Sequence, residues 1–281
     1  MNFPPPTIPH CPRHPNREAG RNCTRCGRPA CSDCLQQASV GSICIDCRKA
    51  AAPSVKQRAT NWDAKQHSLI TRALIAANVA VFIWVAFGGQ FSVGVDQVNR
   101  RSMQIALFGP AIADGEYYRI ITSGFLHYGL LHIGMNMFLL FQLGQMLEPA
   151  LGRGRFAMLY FTSLVGGAAG ALLLDPRAFT GGASGAVFGL MGAAVIALKM
   201  QGVNPWRTGL GATLLLNLVI TFSIPGISVG GHIGGVVAGA TCGWAMFLPS
   251  WRRGNFKEIM WIVPIAILIA GLVLCLVGAN Q

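Results

Sequence analysis

Acidic side chains are scarce in this sequence. Asp and Glu number 10 among 281 residues, against 22 Lys and Arg, and charged residues of both signs make up only 11% of the chain. A soluble globular domain carries about 25% charged residues, so that class is excluded. In place of charge, long apolar stretches alternate with short polar loops from Leu69 to Gln281. A helix needs about 20 apolar residues to cross a bilayer. Seven stretches qualify, at about 69–87, 130–147, 156–174, 184–200, 208–224, 229–248 and 259–278. The fifth is short and ends near Pro225, and the sixth is so rich in glycine that hydropathy alone leaves it marginal. The expected fold class is an all-α polytopic membrane protein.

The start of the chain lacks the apolar run of a secretory signal, since its first fifty residues are polar, basic and cysteine-rich. Lysine and arginine then set the expected orientation. With the N-terminus inside, Arg153/Arg155, Lys199/Arg207 and Arg252/Arg253/Lys257 all fall on the cytosolic side. Outside remain Arg100, Arg101, Arg119 and Arg177, balanced by Asp96, Asp114, Glu116 and Asp175. The net charge of +12 thus gathers on the cytosolic face. Such a surface suits anionic lipid headgroups and calls for no nucleic acid. The C-terminus is expected outside.

Cysteine is almost missing beyond residue 47. Only Cys242 and Cys275 follow, inside spans, where they read as small packing residues. The other seven cysteines of the nine, with one histidine, form four pairs: Cys11/His14, Cys23/Cys26, Cys31/Cys34 and Cys44/Cys47. Two intervening residues let one turn offer two ligands to one metal, and zinc takes four such donors in a tetrahedron. Eight ligands make two closed, structural zinc sites, and no cofactor is expected for catalysis. A disulfide framework is disfavoured by the odd count and the cytosolic placement. The expected division is a zinc-binding domain over 1–50, a basic linker along the membrane surface over 51–68, a six-helix core over 69–248 and an additional transmembrane helix over 259–278.

The order of these pairs resembles that of B-box-type zinc fingers, in which the pairs interleave. That resemblance implies that Cys11, His14, Cys31 and Cys34 share one zinc, and Cys23, Cys26, Cys44 and Cys47 the other. Spacing alone also allows sequential pairing. The family often ends in a histidine pair where this chain has Cys44 and Cys47. A metal-stabilised module that docks a protein partner is the expectation for this segment.

Polar side chains inside spans are costly and need a reason. In the second span His132 and Asn136 are four apart, so they share a helical face, with His127 just above at the water boundary. They can hydrogen-bond between helices, or donate to a reacting group. In the sixth, His232 precedes Gly235, Gly239 and Gly243 at four-residue intervals; Gly181, Gly185 and Gly189 form a matching stripe around Ser184. Small residues at that spacing let helices approach until their backbones nearly touch. The fourth and sixth spans are therefore expected to pack together, with Ser184 and His232 at similar depth.

The stripe by itself would allow Ser184 a packing role. A nearby histidine makes it a candidate nucleophile with His232 as base. The helix N-terminus at Ser184 favours developing negative charge, and His132 and Asn136 can supply oxyanion donors. No carboxylate completes a triad, and Phe188, one turn after Ser184, could pack its ring on the His232 imidazole. A dyad is the reading that fits.

Taken together, these residues resemble a rhomboid-family intramembrane serine protease from roughly Tyr117 to Phe247. The resemblance rests on Gly182-Ala183-Ser184-Gly185, on the His127, His132, Asn136 set, and on His232 followed by Gly234 and Gly235. Tyr118-Arg119 and Glu148 followed by Leu151-Gly152 add to it. It implies a six-helix core that cuts transmembrane proteins within or near their spans. Ser184 would be the nucleophile, His232 the base, and His132 and Asn136 the oxyanion donors. Phe188, where many members carry tyrosine, would support the site with His127, Gly182 and Gly185. It also implies that the segment Gly88–Gly129 is the family's first loop, and that residues 223–230 form a flexible cap. A bacterial plasma (inner) membrane is the expected location. The alternative is a rhomboid-like protein that binds and escorts membrane clients without cutting them.

Overall fold

A computed structural model describes residues 8–38, 41–52, 54, 68–87, 99–249 and 257–281. Most of the expected basic linker, the opening of the first external segment at 88–98, and Arg252 and Arg253 lie outside the described residues. The chain forms two compact units, Met1–Gln66 and His67–Gln281.

The smaller unit is built from three antiparallel pairs of short strands. β1 (His10–Cys11) pairs with β2 (His14–Glu18), β3 (Arg21–Asn22) with β4 (Pro29–Ala30), and β5 (Leu35–Gln37) with β6 (Ser42–Cys44). A six-residue helix, α1 (Ile45–Ala50), follows, with the Cys44 sulfur capping its first turn. The apolar core is little more than Cys11, Ala30, Cys31 and Cys34 against Leu35 and Ile45. Ion pairs Arg13–Asp46 and Arg17–Asp33 tie the surface.

In the larger unit all seven apolar stretches are helical: α2 (Leu69–Ala86), α6 (Leu130–Leu151), α7 (Arg153–Leu174), α8 (Ser184–Met200), α9 (Leu210–Ser223), α10 (Val229–Phe247) and α11 (Ile259–Ala279). Short helices α3 (Arg100–Ile105), α4 (Gly109–Ala113) and α5 (Arg119–Thr122) lie between α2 and α6. Among the described residues α2, α6, α7 and α11 are long and apolar enough to cross a membrane, whereas α8 and α9 are shorter. The fifth stretch contracts to 14 residues because its chain turns at Gly209, whose φ of +79° lies in the left-handed region. The second runs past its expected end through Pro149 and meets α7 after one residue, Gly152, at φ +77°.

Glycine decides how the bundle packs. A Cβ placed on Gly235 or Gly239 of α10 would sit 2.0 Å from the Gly185 carbonyl oxygen or 2.1 Å from that of Gly189, so α8 and α10 touch backbone to backbone. The expected stripe partner Gly181 is not part of this contact; it precedes the helix and faces the Leu126 side chain. A second glycine face, unforeseen from sequence, sets Gly230 and Gly234 of α10 against the carbonyls of Gly170 and Gly166 in α7. α10 is thus clasped on two sides. The additional helix α11 packs on α7, where Gly271 faces Val165 and Gly278 faces Leu172.

Two charged groups fasten the unit's ends. Arg119 is buried; its guanidinium donates to the Met103 and Ala106 carbonyls at 2.6 and 2.9 Å and pairs with Glu116 at 2.6 Å. Glu148, also buried, accepts from the backbone N–H groups of Ile70 and Thr71 at 2.9 Å each and from the Thr71 hydroxyl at 2.7 Å. It thereby caps α2 from another helix, where Ser68 makes no side-chain cap of its own. Glu148→Ala leaves these donors unpaired, and we expect a loss of about 2–3 kcal/mol, read as a lower thermal midpoint in detergent. Thr71→Val should cost less, since the two backbone bonds remain.

Candidate active site and metal sites

In the smaller unit Cys11, His14, Cys31 and Cys34 converge, and so do Cys23, Cys26, Cys44 and Cys47, the donor atoms of each set lying within 4.8 Å of one another. This is the interleaved grouping, and all nine cysteines are free thiols. His14 Nδ1 lies 3.3, 3.4 and 3.9 Å from the sulfurs of Cys31, Cys34 and Cys11, and the Cys26 and Cys44 sulfurs are 3.8 Å apart. A tetrahedron with Zn–S bonds of about 2.3 Å has sulfur–sulfur edges of roughly 3.8 Å, so both donor sets fit that ion. Backbone N–H groups, from Cys31 first, hold the Cys11 thiol down to about 6, and those of Cys44, then Cys26 and Arg25, do the same for Cys23. The Cys47 thiol is pushed up to about 12, chiefly by those of Cys26 and Cys44. Groups that crowd each other in this way become thiolates together only around a cation.

In the larger unit Ser184 is the first residue of α8, so its backbone N–H has no partner within the helix. The segment leading to it is pinned from three sides. Leu107 and Thr180 exchange backbone hydrogen bonds at 2.8 and 3.0 Å, the Gly182 N–H donates to the Ser123 carbonyl at 2.9 Å, and the Ala183 N–H donates to His127 Nε2 at 3.4 Å. His127 Nδ1 faces the Phe125 carbonyl at 3.3 Å, so that nitrogen donates. His127 is 2% exposed and ties the serine turn to the segment before α6.

Gly182 has φ +138°, a backbone that favours glycine, and there is no room for more. A Cβ there would lie 2.8 Å from His132 Nε2 and 3.5 Å from Ser184 Oγ, so the space above Gly182 is walled by both groups. The His132 ring meets His127 edge-on at 4.9 Å. Asn136 donates one amide hydrogen to the His132 carbonyl at 2.9 Å, and its side-chain amide has a second to give.

His232 sits one turn into α10, whose N-terminus is capped by the Ser228 hydroxyl accepting from Gly231 N–H at 3.1 Å. Its ring stacks on Phe188 with centroids 4.0 Å apart and planes 16° apart, as expected from the sequence. At the ring edge is a partner that sequence reasoning missed: the Thr221 hydroxyl of α9, 2.6 Å from His232 Nδ1. Ser184 and His232 each adjoin a residue of the same backbone contact, Gly185 against the Gly231 carbonyl.

Residues 114–249, the stretch that holds this arrangement, match the Rhomboid domain family model. The membrane-spanning unit carries a rhomboid domain. The chain is 32% identical over 164 residues to the rhomboid protease GluP of Bacillus subtilis, covering 57% of this chain and 32% of that protein. It is 34% identical over 160 residues to RHOMBOID-like protein 5 of Arabidopsis thaliana, covering 53% and 50%. With the rhomboid protease GlpG of Photorhabdus laumondii it shares 27% identity over 206 residues, 70% of this chain and 67% of that one. The chain thus spans a third to a half of the length of the first two relatives. The rhomboid domain holds Ser184, His232, His132, Asn136, His127 and Phe188; the zinc-type cysteine sets lie outside it.

Proposed function

We propose that this integral membrane protein is an intramembrane serine endopeptidase that cleaves transmembrane proteins within or near their spans. Ser184 Oγ attacks the scissile carbonyl while His232 Nε2 takes its proton. The resulting oxyanion is held by the Ser184 backbone N–H, His132 Nε2 and the free Asn136 amide hydrogen. Collapse breaks the C–N bond, and His232 returns the proton to the leaving amine. Water then releases the acyl group by the same route. The smaller unit holds two structural zinc ions and docks a protein partner. The setting is a bacterial plasma membrane with the N-terminus cytosolic. What supports this reading most is that α8 and α10, in backbone contact, carry Ser184 and a Phe188-stacked His232 within a rhomboid domain. The two relatives named as rhomboid proteases agree with it.

The test needs no substrate. Membranes holding the protein are treated with a fluorophosphonate serine probe, comparing wild type, Ser184→Ala and His232→Ala. Labelling confined to the wild type is expected. Persistent labelling of Ser184→Ala would overturn the nucleophile, and no labelling of folded wild type would favour the non-proteolytic, client-escorting alternative.

A further inference from the structure

The dyad leaves a question that its two members do not answer. A neutral imidazole carries its proton on one nitrogen, and only the tautomer with Nε2 bare can take a proton from serine. In this bundle the choice is made at Nδ1. The Thr221 hydroxyl stands 2.6 Å from His232 Nδ1 and 2.7 Å from the Asn217 carbonyl of its own helix. A hydroxyl has one hydrogen. Donated to the Asn217 carbonyl, it leaves an oxygen lone pair for Nδ1–H, and His232 Nε2 is then bare. Asn217 in turn donates its amide to the Thr213 carbonyl at 2.8 Å.

The placement is specific. α9 buries only Gly211 and Thr221, while Leu215, Leu216, Val219 and Phe222 are exposed. Thr221 is thus the one side chain of α9 that is buried, 2% exposed, and its polar atom is what meets the imidazole. Phe188 fixes the plane of the His232 ring by stacking but cannot distinguish its nitrogens. We propose that Thr221 is a positioning residue for the proposed proteolysis, holding His232 in the Nδ1–H tautomer so that Nε2 accepts the Ser184 proton. It takes the place that a carboxylate fills in a triad, without adding a charge within the membrane. This rests on the dyad reading above.

The experiment compares full-length wild type, Thr221→Val, Thr221→Ser and Ser184→Ala in detergent, measuring the fluorophosphonate labelling rate against probe concentration alongside the thermal midpoint. Removing a partner that orients a functional histidine costs roughly 10–100-fold in activity at metal sites, and a loss of that order is expected for Thr221→Val. It should fall on the maximal rate, with half-saturation unchanged. Thr221→Ser, which restores the hydroxyl, should label within about threefold of wild type on the same principle. A wild-type rate for Thr221→Val, or a Thr221→Ser rate as low as that of valine, would overturn the proposal. If valine unfolds the protein, the ¹⁵N shifts of His232 in histidine-labelled wild type decide: a protonated Nδ1 supports the role, and a protonated Nε2 ends it. Labelling that persists in Ser184→Ala would instead sink the dyad, and the ¹⁵N shifts would still report on Thr221.

Discussion

Alanine in place of Ser184 is expected to lower cleavage of a transmembrane reporter by about 10⁴-fold or more, to background, with His232→Ala falling as far. Residues that act as one unit lose nearly everything when either is removed, so the double variant should be no worse than either single one. The donors behave differently. His132→Ala or Asn136→Ala each removes one hydrogen bond that strengthens as the oxyanion forms, and a loss of about 10²–10³ in kcat is expected, with little change in KM. Gly182→Ala belongs with these although it deletes no donor, because its Cβ would meet His132 Nε2 at 2.8 Å and displace the ring. The check is reporter cleavage in proteoliposomes, with each variant's thermal midpoint measured beside it. Turnover retained in Ser184→Ala, or unchanged rates in all three donor-site variants, would refute this division of roles.

How far this arrangement could be read from the sequence differs residue by residue. The helices were legible because an apolar stretch of bilayer length has few other uses, and the boundaries moved only where Gly209 and Gly152 turn the chain. The α8–α10 contact was legible from glycines at every fourth position. The α7–α10 contact was not, since Gly166 and Gly170 sit among alanines and leucines and read as ordinary apolar helix. The burial of His127 has no signal in the sequence, because it comes from the α3–α6 segment folding back over the serine turn. Thr221 was invisible for a sharper reason. Thr213, Thr221 and Thr241 all bond the carbonyl four residues back, a routine use of threonine in a helix. That one of them also faces an imidazole depends on how α9 lies against α10, which no spacing within either helix records. The cysteine grouping shows the same limit. Spacing left two pairings open, and only the folded unit, which brings Cys11/His14 to Cys31/Cys34 and Cys23/Cys26 to Cys44/Cys47, chooses between them.

Removing metal from the smaller unit is expected to unfold it. Its buried apolar residues are largely the cysteine ligands themselves, with Ala19 and Ala30, so little core remains to offset chain entropy once the cation leaves. A structural zinc contributes about 10–16 kcal/mol of apparent binding free energy near neutral pH, far more than such a core supplies. Interleaving makes the loss cooperative. Between Cys11/His14 and Cys31/Cys34 runs the pair Cys23/Cys26, and between that pair and Cys44/Cys47 runs Cys31/Cys34. Freeing either ion therefore loosens a segment that the other needs. Metal analysis of the purified protein should give two zinc ions per chain, and Cys34→Ala should lower this toward zero, not merely to one. Chelation should likewise open residues 8–52 to protease as a single step. Retention of one tightly held zinc in Cys34→Ala would show that the two centres fold independently, and protection that survives chelation would show that the unit's few apolar contacts suffice.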